Sequence, residues 1–223
     1  MGRGDILYRG LAALGLEPDG PLAEALRRYL SEIERFNPTL GLVGAGIGAA
    51  GEELVVKHIL DSLAPIGIIR SLLGDSLRPR IADLGTGAGL PGLPLALALP
   101  QASVHLVDRM TRRTDFLRGA LELLRVGNAE VVESQVERLR GAYDLVTFRA
   151  FRPFEPKLFK RVFALCETNG RVLAYKGRLE RARSELPAIE GLYSSAEVLR
   201  VEVPFLDEER CVVVMRPRSA SPA

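Results

Sequence analysis

The chain has 223 residues, 47% of them hydrophobic and 26% charged, with a formal net charge of +2 at pH 7. That composition fits a globular protein with one large domain, or one domain and a small attachment, long enough to bury a substantial core. Two cysteines (Cys166, Cys211) and two histidines (His58, His105) exclude a disulfide framework and a cysteine-built zinc site, and they point to a protein without a catalytic metal.

Apolar residues Leu22, Leu26, Tyr29, Leu30 and Ile33 recur at helical spacing behind Pro21, and Asn37-Pro38 is expected to stop that helix. Residues 41–51 form a glycine-rich connector. A second helix is expected from Glu52 to about Leu63, ended by Pro65. Residues 1–75 therefore read as an N-terminal helical cap, and residues 76–223 as a Rossmann-like domain. Strands are expected at 80–84, 103–107, 129–132, 143–148 and 170–175, with helices at 92–98, 111–125 and 154–165. This alternation implies a parallel sheet with right-handed crossovers. The segments 196–203 and 210–216 are joined by too short a link for a parallel crossover, so they should pair antiparallel. A mostly parallel α/β sheet closed by a C-terminal antiparallel hairpin is the arrangement of class I S-adenosylmethionine-dependent methyltransferases, not of the usual dinucleotide-binding sheet.

Four glycines, Gly85, Gly87, Gly89 and Gly92, follow the first of these strands and precede a helix. Such a turn lets backbone approach a ligand closely. Read literally, residues 87–92 also match the dinucleotide fingerprint. Asp83 favours the other ligand: a carboxylate at the strand end suits the sulfonium and amino groups of S-adenosylmethionine and repels a pyrophosphate. Asp83 could instead hydrogen-bond the amides of the turn. Asp108, which ends the next strand, can accept from ribose hydroxyls or cap the following helix. Both cofactor classes use that position.

Together these residues resemble the RsmG family of small-subunit ribosomal RNA guanine-N7 methyltransferases, also called the glucose-inhibited division protein B family. The resemblance covers about residues 22–180. It rests on the segment Lys57 to Leu63, the turn Asp83 to Pro94, Arg149-Ala150-Phe151 and Lys176-Gly177. It implies S-adenosyl-L-methionine as cofactor, with Gly85 and Leu90 in the turn, Asp108 on the ribose, Val136 and Glu137 on the adenine side, and Arg149 facing both cofactor and active site. The family's usual arginine before that adenine-side pair is replaced here, in Ser134-Gln135-Val136-Glu137. The family's Tyr-Asn-Leu-Thr segment is replaced by residues 39–43.

The chemistry this implies needs no general base, because guanine N7 already presents a lone pair. The motifs of amino-group and cytosine-C5 methylases are absent after the fourth strand and around the cysteines. Charge is unevenly distributed: residues 141–183 carry net +6, residues 184–223 net −3, and 26 of the 30 basic residues are arginine. Arginine's planar fork suits phosphate. Arg152, Lys157, Lys176 and Arg178 follow strands four and five, where open α/β sheets bind ligands. They are the expected contacts to 16S ribosomal RNA or a small-subunit assembly intermediate. Phe151 and Phe154 either stack on a base or pack in the core. His58 reads as a hydrogen-bonded packing residue between cap and sheet. No apolar stretch is long enough to span a bilayer and no secretion signal is visible, so a cytoplasmic location is expected. A small-molecule methyltransferase of the same fold is the alternative, and a nicotinamide-dependent oxidoreductase a more distant one.

Overall fold

The computed structural model describes residues 3–44 and 51–218; part of the glycine-rich connector, residues 45–50, lies outside the described residues. The cap consists of α1 (Arg3–Ala13), α2 (Pro21–Leu40), α3 (Glu52–Leu54), a π-helical turn (Val55–Leu60), α4 (Asp61–Leu63) and α5 (Ile66–Leu73). Pro21 opens α2, where a missing N–H costs no hydrogen bond, and the helix buries Ala23, Leu26, Tyr29, Leu30 and Ile33. It does not stop at Asn37-Pro38 as expected. Pro38 lies inside the last turn, where it forfeits only one intrahelical bond. Asn37 supplies the actual ending. Its carbonyl accepts from the N–H of Gly41, which turns left-handed at φ 56°, and its Oδ1 accepts from the Val43 N–H at 2.8 Å. The helix expected from Glu52 forms, but its centre is a π turn, a distortion often found at functional sites.

The remainder is a seven-stranded sheet with β1 (Arg80–Leu84), β2 (Ser103–Asp108), β3 (Ala129–Glu133), β4 (Tyr143–Arg149), β5 (Cys166–Lys176), β6 (Tyr193–Val201) and β7 (Arg210–Pro217). Its order is β3-β2-β1-β4-β5-β7-β6. The first five strands run parallel, and β7 runs antiparallel to both β5 and β6. The expected antiparallel pair is therefore present, with β7 inserted between β5 and β6. The crossovers are α6 (Gly92–Ala98), α7 (Thr111–Leu124) and α8 (Pro156–Phe163), followed by α9 (Leu179–Glu185), which the sequence pattern did not suggest. Strand β5 begins at Cys166, four residues before the expected start, because Cys166 pairs with Tyr143 across a bulge.

Alternating strand residues feed two cores. On one face Leu145, Leu173 and Leu106 pack with Leu93 and with the cap residues Leu26, Tyr29, Ile59 and Leu63. On the other, Val146, Phe148 and Val172 pack beneath Phe159 and Val162 of α8. Phe154 belongs to this second core. No described helix is long and apolar enough to cross a membrane.

One polar contact fixes the cap against the sheet from within. The fully buried Tyr29 hydroxyl donates to the Ala88 carbonyl at 2.5 Å, joining α2 to the glycine turn. Tyr29→Phe leaves that carbonyl without its partner. It should lower the unfolding free energy by about 1–2 kcal/mol, read as a shifted urea midpoint with an unchanged slope. An unshifted midpoint would show that this contact does not hold the cap.

Candidate active site

The glycine turn sits at the C-terminal end of β1. Gly85 has φ 67° and lies against the Phe151 ring, so a Cβ there would come within 2.6 Å of Phe151 Cδ2. Gly92 opens α6 directly over β1, and a Cβ would meet Asp83 Cβ at 2.8 Å and collide with the Leu106 methyl. Glycine is required at both positions, at the first by conformation and at the second by close packing.

Asp83 is fully buried behind this turn. Its Oδ2 accepts from Thr86 Oγ1 at 2.5 Å and from the Gly92 N–H at 2.8 Å. Its Oδ1 is buried without a partner among the described residues. Burial pushes its pKa up to about 6, against the pull of those two hydrogen bonds. The carboxylate thus staples the turn with one oxygen and leaves the other uncompensated. A cationic group lodged beside the turn would offset that charge, and a pyrophosphate would not. On this observation S-adenosylmethionine fits the residues present.

Asp108 is also nearly buried. Its Oδ2 accepts from the Gly87 N–H at 3.0 Å and its Oδ1 from the Met110 N–H at 2.9 Å, at the head of α7. Arg113 lies 3.6 Å from Oδ2. The side chain joins the turn to the residue that precedes α7 without capping the helix, so the capping alternative is not met, and each oxygen retains a second lone pair. Beyond β2 and β3 a hollow of about 530 Å³ is lined by Arg109, Met110, Glu133, Ser134, Gln135 and Arg138. Val136 beside it is a core residue, while Glu137 is exposed and pairs with Arg152 at 3.4 Å.

The main cleft, about 1500 Å³, opens between the cap and the C-terminal ends of β1, β4 and β5. Gly85, Gly87, Leu90, Arg149, Phe151 and His58 all line it. Asp83, Gly89, Asp108, Val136 and Glu137 do not. Arg149, the last residue of β4, turns toward the cap. Its Nη1 donates to Asp61 Oδ2 at 2.8 Å and to the Lys57 carbonyl at 3.1 Å, and its Nη2 lies 3.3 Å from His58 Nδ1. Asp61 receives a second guanidinium, that of Arg210 at the start of β7, at 3.1 Å. The Tyr175 hydroxyl adds a bond to the Ser62 carbonyl at 2.7 Å. His58 is therefore hydrogen-bonded between cap and sheet, as expected, and also faces the cleft. Its pKa is lowered to about 4, first by burial and then by the Arg149 charge, so it is neutral at pH 7. The sequence did not single out Asp61, Arg210 or Tyr175 as site residues, and it marked Tyr29 only as an apolar helix residue. The only hint was Asp61 within the Lys57–Leu63 segment, a carboxylate among residues spaced for burial.

The four expected RNA contacts separate. Arg152 and Arg178 line the cleft. Lys157 stands outside it on the exposed face of α8. Lys176 lines the cleft but is not a free cation: it is bound to Glu185 at 2.6 Å and sits 4.1 Å from the centre of the Phe154 ring. Phe154 is core, which leaves Phe151 as the aromatic ring exposed to the cleft. Burial pushes the thiols up, Cys166 to about 12 and Cys211 to about 11, so neither is a ready nucleophile. Among the described residues no group of three or more His, Cys, Asp or Glu is placed to hold a metal ion.

Asp83 gives a pH signature. Its folded carboxyl holds a proton more tightly than the unfolded chain's, so ionising it costs stability as pH rises from 3.8 to about 6, and the cost is constant above that. The difference in unfolding free energy between wild type and Asp83→Asn should shift by about 3 kcal/mol against the wild type across that window. A pH-independent difference in denaturation experiments would contradict the buried, uncompensated carboxylate.

Comparison with known proteins places this architecture. A family model described as rRNA small subunit methyltransferase G matches residues 22–213. Ribosomal RNA small subunit methyltransferase G of Paracidovorax citrulli is 34% identical over 230 residues, covering 97% of this chain and 91% of the relative. The protein of the same name from Stenotrophomonas maltophilia is 38% identical over 212 residues, covering 94% and 92%. Among solved structures, a tRNA (m1A58) methyltransferase from Aquifex aeolicus superposes with a TM-score of 0.54 at 15% identity, covering 70% of each chain. A precorrin-6y C5,15-methyltransferase from Geobacter metallireducens gives 0.52 at 15%, covering 68% of this chain and 87% of that one. These two structures show the fold alone, the class I, Rossmann-like one.

Proposed function

This chain belongs to the rRNA small subunit methyltransferase G family, and on that premise we propose that it transfers the methyl group of S-adenosyl-L-methionine to N7 of a guanosine in 16S ribosomal RNA. The substrate is the RNA itself or a small-subunit assembly intermediate. Residues 1–75 act as a cap over the cleft and residues 76–223 as the methyltransferase domain.

When bound, S-adenosylmethionine supplies a methyl carbon on a sulfonium, open to in-line attack. Guanine N7 holds an in-plane lone pair and no proton, so the protein has no proton to remove. Its work is alignment and electrostatics. Gly85, Gly87 and Leu90 form the close-approach wall, Gly89 behind them packs against Leu117, Leu93 and the Tyr29 hydroxyl, and Asp83 places negative charge behind the turn. Asp108 offers its remaining lone pairs to ribose hydroxyls, and Val136 and Glu137 flank the adenine side. Among the described residues Arg149 has an N–H on Nη2 and another on Nε without a partner, on a guanidinium held by its three cap contacts. Because Asp61 neutralises it, its guanidinium opposes a growing positive charge on guanine less than a free cation would. The observation that carries N7 is the state of His58. Methylation of an amino or hydroxyl group calls for a proton acceptor, whereas this imidazole is weakly basic with its Nδ1 facing a guanidinium, and the cleft carboxylates Asp61, Glu185 and Glu208 are paired with cations.

Arg152, Lys157 and Arg178 contact RNA phosphates, with Lys176 restricted to shaping the cleft wall. Phe151 is the ring available to a base. Purified protein incubated with methyl-labelled S-adenosylmethionine and small subunits or naked 16S rRNA should place label at one guanine N7, mapped by strand scission at the methylated base. Label elsewhere, or none on either substrate, would overturn the reading. Salt dependence of RNA binding should be shallow, and Lys157→Ala should lower its log–log slope by about 1 while leaving S-adenosylhomocysteine affinity unchanged. An unaltered slope would remove Lys157 from the interface.

A further inference from the structure

Guanine and adenine both carry N7, so a site that methylates only guanine must read something beside it. The two purines differ in the adjacent major-groove group: guanine has the O6 acceptor, adenine the N6 amino donor. A donor fixed next to the N7 position therefore accepts guanine and rejects adenine.

His58 has the properties of that donor. It stands on the π turn, which directs the Lys57 carbonyl, the His58 ring and Asp61 to one guanidinium. Guanidinium nitrogens have only hydrogens to give, so His58 Nδ1 is the acceptor of that contact and the ring's single proton resides on Nε2. Protonating Nδ1 would set one N–H against another. The tautomer is thus dictated by Arg149, and Nε2–H has no partner among the described residues on a side chain that lines the cleft. A neutral donor also suits the reaction. As the N7–carbon bond forms and the carbon–sulfur bond breaks, the purine becomes cationic, and an imidazolium beside it would resist that charge.

We infer that His58 Nε2–H donates to O6 of the target guanine and is the residue that selects guanine over adenine. This rests on the N7 reading above. The test uses wild-type enzyme, His58→Phe and His58→Gln with methyl-labelled S-adenosylmethionine. The substrates are small subunits carrying either guanosine or 2-aminopurine riboside, which keeps N7 but lacks O6, at the mapped position. Wild type should lose roughly tenfold or more in kcat/KM on 2-aminopurine. His58→Phe should lose a similar factor on guanosine and little more on 2-aminopurine. His58→Gln, whose amide N–H reaches the place of Nε2–H, should recover part of the loss. Wild-type enzyme that uses both bases equally well overturns the inference whether or not a variant folds. So does a His58→Phe enzyme that keeps the wild-type preference for guanosine. Absence of wild-type label at any guanine N7 overturns the N7 reading, and this inference with it.

Discussion

Asp61 is nearly buried between two guanidinium groups that arrive from distant parts of the chain, Arg149 at the end of β4 and Arg210 at the start of β7. A carboxylate in that position without partners would carry a large desolvation penalty, and so would Arg149 without Asp61. Neither is stable there alone. Together they fix the cap segment 57–62 to the sheet edge where ligands bind, and the Tyr175–Ser62 and Tyr29–Ala88 bonds secure the same junction on either side. The π turn belongs to this arrangement, since it brings a backbone carbonyl, an imidazole and a carboxylate onto one guanidinium. The position of Arg149, the tautomer of His58 and the shape of the cleft all follow from that ion pair.

The electrostatics of the cleft are local for the same reason. The basic block of residues 141–183 does not act as a single positive surface. Lys176 is spent on Glu185, Arg152 leans on Glu137, and Arg149 is neutralised by Asp61. Lys157, Lys160 and Arg161 remain on the exposed face of α8, outside the cleft, and Arg178 lines it. Phosphate attraction thereby rests on α8 and on Arg178 and not on Arg149, whose charge Asp61 offsets. A cleft lined with free cations would favour binding the RNA at the expense of the chemistry.

Much of the frame was legible from local pattern. Short apolar runs between helical segments marked the strands, the short link at 204–209 forced an antiparallel pair, and Asp83 with its glycines marked the turn. What was not legible depends on distance along the chain. Asp61 and Arg149 are 88 residues apart and Tyr29 and Ala88 59 apart, and no local signal announces such partners. Pro38 misled because a proline in a final turn costs only one bond, and the stop is supplied by Gly41. Lys176 was assigned to RNA on charge and position, but Glu185 arrives one helix later to pair with it. Asp108 shows the limit of position alone: the strand end was correct, yet its oxygens also hold Gly87 and the head of α7.

The Asp61–Arg149 pair holds the cap segment against the cleft that the glycine turn also lines, so a cofactor bound there should protect both segments together. Hydrogen exchange of the whole protein, with and without saturating S-adenosylhomocysteine, tests it most directly. The ligand should slow exchange in residues 55–62 together with residues 85–92, and Asp61→Asn should abolish the protection in the cap segment. Protection of the turn with residues 55–62 unchanged would contradict it.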